Sequence, residues 1–188
     1  MTQESKILPI VGYGSPILRQ VCLEVDETID EIKLLANDLI KTMTNIGTAV
    51  GLAAPQVNIN LRMFVMSPNR TPIIVINPVI NKRRGTKKSG EGCLSIPDLN
   101  ATVAERDEII DVEFYDMNMN KQKMRLRGFE AVVFQHEFDH LNGILFIDRL
   151  TKEGTEAVKD KLSDIERGIY KADYPMVFTH LLKDPQKL

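Results

Sequence analysis

The sequence predicts an α+β fold: mostly antiparallel β-strands packed around a central helix, with a further helix towards each end of the chain. Three observations predict it. Apolar residues recur at helical spacing between Ile29 and Met43. Short runs of β-forming residues, separated by turn residues, fill the middle of the chain between Leu61 and Leu126. The segment from Glu130 to Leu141 again has helical periodicity and is bracketed by apolar residues. Strands grouped together, with helices before and after them, favour antiparallel pairing over a βαβ alternation.

Taken in order, Gly12-Tyr-Gly-Ser-Pro16 is turn chemistry. Ile29, Ile32, Leu35, Ala36, Leu39, Ile40 and Met43 share a helix face, and Asp26 and Thr28 are candidate caps. A helix is therefore expected over roughly 27–44, broken by Gly47. Leu61 to Met66 and Ile73 to Ile76 read as strands joined by a turn through Pro68, Asn69 and Pro72. Ile109 to Tyr115 reads as another strand, and Asp116-Met-Asn-Met-Asn120 as a hairpin turn into Gln122 to Leu126. The helix Glu130 to Leu141 meets a stop signal at Asn142-Gly143. Residues 152–168 form a charged amphipathic helix with Val158, Leu162 and Ile165 as its apolar stripe. From Pro175 onward the pattern does not choose between structures.

The chain has 188 residues, 43% hydrophobic and 27% charged, which suits one globular domain spanning 1–188 with a sizeable core. No repeat, low-complexity stretch or linker divides it. A net charge of -2 argues against binding nucleic acid in bulk, and no specific nucleic-acid binding is expected. The basic cluster Lys82-Arg83-Arg84 with Lys87-Lys88 reads as a solvated hairpin or loop. The polar start lacks the basic and apolar regions of a signal peptide, and no apolar run approaches the ~20 residues that span a bilayer. Two cysteines, Cys22 and Cys93, are too few for a disulfide scaffold, so reduced thiols and a cytoplasmic location are expected. Cys22, flanked by Val21 and Leu23, reads as a small buried hydrophobe.

The main chemical signal is His136-Glu137-Phe138-Asp139-His140. Positions i and i+4 lie on one helix face, so the two imidazoles can chelate one metal ion with the glutamate beside them as a general base. Apolar neighbours from Val132 to Phe134 and from Leu141 to Phe146 make this helix a central, buried one. Burying two histidines and a carboxylate together without a metal would be costly.

A catalytic site wants a third protein ligand. Phe146 stands where the extended H-E-x-x-H-x-x-G-x-x-H pattern would place a histidine, which excludes that class. Asp160 and Glu166 on a downstream helix, His180 in the tail and Cys93 in Glu91-Gly-Cys-Leu-Ser95 remain as candidates. A third cluster, Gly51-Leu-Ala-Ala-Pro-Gln56, combines small residues that allow close backbone approach with an amide that can face an oxyanion. A tight helix–strand connection explains that cluster equally well.

Together, Gly51-Leu-Ala-Ala-Pro-Gln56, Glu91-Gly-Cys-Leu-Ser95 and Gln135-His-Glu-Phe-Asp-His140 resemble, in order and separation, the three signature motifs of the peptide deformylase family. Ser15-Pro-Ile-Leu-Arg19, Asn77-Pro78 and Leu141-Asn-Gly-Ile-Leu-Phe146 fit the same resemblance, which covers about residues 6–150 and leaves 151–188 as a C-terminal helix and tail. The resemblance implies that Cys93 joins His136 and His140 around one divalent ion: ferrous iron in the cell, with zinc, nickel or cobalt as substitutes in purified protein. It implies hydrolysis of the formyl group from the N-terminal formylmethionine of new polypeptides, releasing formate.

Glu137 is then the base, with the Leu94 N–H and the Gln56 side-chain amide as oxyanion donors. Val50, Phe129, Val132 and Val133 would line a methionine pocket, and the peptide would lie as an added strand beside residues 49–51, bordered by Gly51 and Gly92. Glu91 and Arg106 are expected to pair behind the ligands. The chain departs from the usual first motif by carrying Ala49 where a glycine is common. The implied partners are N-formylmethionyl nascent peptides and, transiently, the ribosome, with no membrane. The alternatives are another H-E-x-x-H metallohydrolase, a peptidase or deacylase, and a metal-binding relative with impaired catalysis.

Overall fold

The computed structural model describes residues 4–26, 28–170 and 172–182. In chain order, strand β1 (Ile10–Val11) and helix α1 (Ile29–Ile46) precede strands β2 (Gly51–Ala53), β3 (Met63–Met66), β4 (Ile73–Arg84), β5 (Lys87–Cys93), β6 (Ile96–Arg106), β7 (Ile109–Tyr115) and β8 (Lys121–Arg127). Helices α2 (Gly128–His140) and α3 (Lys152–Glu166) follow, then strand β9 (Met176–Val177).

α1 begins where its sequence provides a reciprocal cap. The Thr28 hydroxyl accepts from Glu31 N, and the Glu31 carboxylate accepts from Thr28 N at 3.0 Å. Thr28 rather than Asp26 is thus the cap. The helix lies at Ile29–Ile46, ending slightly later than expected, and Gly47 (φ +76) closes it. Residue 27, where the helix was expected to start, lies outside the described residues.

The main sheet has the order β2-β3-β4-β7-β8 and is antiparallel throughout. β5 and β6 form a separate antiparallel hairpin. β1 pairs in parallel with β9. β4 is much longer than its apolar start predicts. It continues past Pro78 because the register shifts there: Asn77 takes φ +48 at the bulge, and its side chain bonds Val25 N at 2.9 Å and Val25 O at 3.1 Å. The basic cluster lies in the exposed end of β4 and the start of β5, which belong to different sheets and do not pair, so it is not a hairpin; Arg83 pairs with Asp107 at 2.6 Å. β5 and β6 themselves were not foreseen; Lys-Lys-Ser-Gly-Glu-Gly-Cys has few β-formers, and its strand structure comes from pairing with β6.

The alternation of β3 sets the layers. Met63 and Val65 join Ile32, Ala36, Leu39 and Met43 of α1 in one buried cluster. Phe64 and Met66 point the other way, to Ala131, Val133 and Phe134 of α2. The Phe64 and Phe134 rings meet edge-on at 5.2 Å. Each fully buried side chain of this size contributes ~1.5–3 kcal/mol by leaving water. α2 is therefore pinned on its apolar side, which fixes what its other face presents. A third cluster packs Ile165 of α3 against Leu99 and Val103 of β6 and against Phe146. Among the described residues no helix is long and apolar enough to cross a membrane.

Candidate metal centre

Helix α2 carries His136 and His140 one turn apart, with ring centroids 5.1 Å from each other. The β5–β6 turn brings Cys93 against them. One donor atom from each of Cys93, His136 and His140 lies within 4.8 Å of the others, and Cys93 Sγ is 3.4 Å from His140 Nε2. Bond lengths of ~2.3 Å to sulfur and ~2.0 Å to nitrogen in a tetrahedral site put such atoms about 3.5 Å apart, so the donor set fits a metal ion. The other candidates for third ligand stand elsewhere. His180 Nε2 faces the Glu166 carbonyl at 2.7 Å, and among the described residues neither Asp160 nor Glu166 joins the donor cluster.

Behind the donors lies a chain of buried charge. His136 Nδ1 faces Glu91 Oε2 at 2.9 Å, which leaves Nε2 for the site. Arg106 grips Glu91 with two hydrogen bonds, Nε to Oε1 at 2.7 Å and Nη2 to Oε2 at 2.8 Å. It also donates to Asp139 at 2.5 Å, and Asp139 accepts twice more from Arg149. Burial pushes the Glu91 carboxyl up, but Arg106 and His136 outweigh it and hold it at about 2. Burial first, then His136 and Arg106 nearby, push His140 well below its ordinary value, in the direction of the neutral imidazole that a metal requires.

Glu137 is 4% exposed, and its Oε2 has no hydrogen-bond partner. Burial raises its carboxyl to about 7, against a lowering pull from His136; a cation in the site would draw it back down. Gly51 lets the β2 backbone pass this carboxylate, since a Cβ there would run into Glu137 Oε1.

Gln56, also buried, is oriented by its own loop. Its Oε1 accepts from Ala53 N at 2.8 Å, so its Nε2 must point into the site, 3.4 Å from Cys93 Sγ. Ala49 is not among the described residues with positive φ, so its methyl group is carried without backbone strain.

These groups open on a cavity of about 460 Å³. Val50, Gly51, Gln56, Glu91, Gly92, Cys93, Leu94, Phe129, Val132, Val133, His136 and Glu137 line it, whereas His140 and Arg106 stand behind its wall. Leu99, Asn100 and Tyr174 line it too, although no sequence pattern singled them out, and the same holds for Asp139 and Arg149 in the network behind. An acid inside a buried helix was a usable sign that Asp139 needs a cation; nothing local pointed to Arg106 and Arg149 as the two that serve it.

The model for the polypeptide deformylase family matches residues 7–156. This chain belongs to the polypeptide deformylase family. It is 38% identical to the peptide deformylase of Flavobacterium psychrophilum, over 90% of this chain and 96% of that one. It is 39% identical to that of Cytophaga hutchinsonii, over 92% and 97%. Its fold matches the crystal structure of peptide deformylase from Thermus thermophilus with a TM-score of 0.81 and 40% identity, covering 87% of this chain and all of that one. As a family member it is a metal-dependent hydrolase that removes the N-formyl group from newly synthesised polypeptides.

Proposed function

We propose that Cys93, His136 and His140 hold the ion, that it is ferrous iron in the cell, and that Glu137, Gln56 and Leu94 carry the chemistry. The observation that carries this reading is the convergence of three metal-binding atoms beside a buried carboxylate with a free oxygen. A thiolate with two imidazoles suits iron, zinc, nickel or cobalt alike; the choice of iron rests on the family resemblance. When bound, the ion supplies Lewis acidity towards water and the formyl carbonyl.

The protein's own groups do the rest. Glu137 takes a proton from the attacking water and hands it to the leaving amine. The Leu94 N–H and Gln56 Nε2 donate to the oxygen that gains charge as the formyl carbon becomes tetrahedral; one such donor is worth ~2.7–4 kcal/mol. Gln56 needs no rearrangement to do so, because Ala53 N already holds its amide in that orientation. Glu91, held by Arg106, fixes the ring of His136. Val50, Phe129, Val132 and Val133 form the apolar wall for the methionine side chain, and the backbone of edge strand β2 beside Gly51, with Gly92 also lining the cavity, takes the peptide as an extra strand. Because the substrate is the start of a nascent chain, the encounter takes place in the cytoplasm at or near the ribosome, through transient association.

Two measurements test this reading together. Protein purified without oxygen should contain about one iron per chain and release formate from a formyl-Met peptide. Cys93→Ala should lose tightly bound metal; full retention of metal would overturn the ligand assignment. Cleavage of an unformylated peptide in place of formate release would favour a general peptidase.

A further inference from the structure

The family match ends at residue 156, yet the chain beyond it returns to the active site. After α3, Tyr170 and Tyr174 each bond to the β5–β6 hairpin. Tyr170 Oη donates to Asp98 Oδ2 at 2.6 Å, and Lys161 donates to the Asp98 carbonyl. Tyr174 lines the cavity, and its hydroxyl donates to the Leu94 carbonyl at 2.8 Å.

The segment is firmly anchored. Ile10 N donates to Pro175 O and Gly12 N to Val177 O, both at 2.8 Å, as β9 pairs with β1. Thr179 N donates to the Ser15 hydroxyl at 3.0 Å. Gly12 has no side chain, which makes room for the Phe178 ring; a Cβ would collide with it.

We propose that Tyr174 is a positioning residue for deformylation: it fixes the Cys93–Leu94–Ser95 turn so that the Leu94 N–H faces the reacting carbonyl. The turn is held at two successive carbonyls, Leu94 O by Tyr174 and Ser95 O by Tyr13 N at 2.8 Å. Cys93, on the other side of Leu94, is tied to the metal site. With the peptide plane after Leu94 held at its carbonyl and the Cys93 side chain held at the donor cluster before it, the Leu94 N–H has little freedom to turn away. Among the described residues the Tyr174 hydroxyl makes its hydrogen bond to the Leu94 carbonyl and none to His136, His140 or Glu137, so its hold on the site passes through the turn that carries Leu94. The inference rests on the reading of Leu94 as an oxyanion donor.

Tyr174→Phe removes the hydroxyl and keeps the ring against the core. Steady-state formate release from a formyl-Met peptide should show kcat lower by roughly tenfold, a fraction of the loss for removing a donor outright. KM should stay within about twofold, and bound metal should be unchanged. The Leu94 amide resonance should shift in the same variant. A kcat equal to that of the unaltered protein, or a defect in KM alone, overturns the inference. If the Leu94 amide does not move, Tyr174 does not hold the turn and only this inference fails. If the amide moves while kcat stays, the donor role of Leu94 fails, and the positioning role falls with it.

Discussion

Two groups of charges in this protein look alike in distance and differ in burial. On the outer face of β7 and β8, Asp111 pairs with Arg125 at 2.6 Å and Glu113 with Lys121 at 2.6 Å. Behind the metal centre, Arg106 pairs with Glu91 at 2.7 Å and Asp139 at 2.5 Å. The carboxyl groups of Asp111 and Glu91 even share a value of about 2. In Asp111 that value comes first from the hydrogen bond to Arg125, with little burial against it. In Glu91 it is what is left after burial has pushed strongly the other way. The side chain of Arg106 is 2% exposed and that of Arg125 is 52% exposed. Equal acidity therefore hides unequal dependence: the Asp111 carboxylate, 21% exposed, can fall back on water, and that of Glu91, 4% exposed, cannot. The buried network gives the His136 ring a fixed orientation at the expense of such vulnerability.

Removing the centre of the buried network should have the largest effect. Arg106→Met leaves Glu91 and Asp139 as buried acids, with Asp139 still held by Arg149. Loss of one partner from a buried pair costs ~3–5 kcal/mol, which for a chain of this size lowers Tm by roughly 6–20 °C. Thermal melts check it. A Tm within about 2 °C of the unaltered protein would mean that water reaches these carboxylates and that the contrast with the surface is false.

Gly51→Ala comes next. The new methyl must displace the Glu137 carboxylate, and misplacing a catalytic group by about 1 Å costs ~10²-fold in rate. kcat should fall by about that factor with bound metal unchanged, as read by formate release and metal analysis. An unchanged kcat would show that Glu137 tolerates the shift.

The smallest effect belongs to the surface. Asp111 has its pKa lowered on folding from ~3.9 in the unfolded chain to about 2. A depressed carboxyl stabilises the fold above its unfolded value, and that stabilisation is lost as the pH falls through the folded one. Asp111→Asn should thus shift Tm by less than about 2 °C at pH 7, and the difference should shrink between pH 4 and pH 2. A shift as large as that of Arg106→Met would erase the comparison.

The same contrast explains what the sequence made legible. The two histidines and Glu137 were readable because i, i+4 spacing on a helix is a local geometric fact that the α2 backbone reproduces. Residues 109–115 were readable as a strand because their alternation is local too. Cys93 was one of several candidates until the three motifs were taken together. The pairing of Glu91 with Arg106 was expected from their positions, but Asp139, Arg149 and Tyr174 depend on contacts across the chain that no local pattern encodes. Tyr174 lies 80 residues from the carbonyl it bonds. β5 was missed for the same reason: a glycine- and lysine-rich segment becomes a strand only through its partner.

The central claim is that Glu137 acts as the base beside an ion held by Cys93, His136 and His140. Glu137→Gln tests it most directly, because the amide nearly matches the carboxylate in shape and removes only its ability to take a proton. Metal content and formate release are measured on the same preparation. The account predicts one ion per chain as before and turnover lower by at least ~10²–10⁴-fold. Turnover near that of the unaltered protein, with the metal still bound, would contradict it and place the base elsewhere.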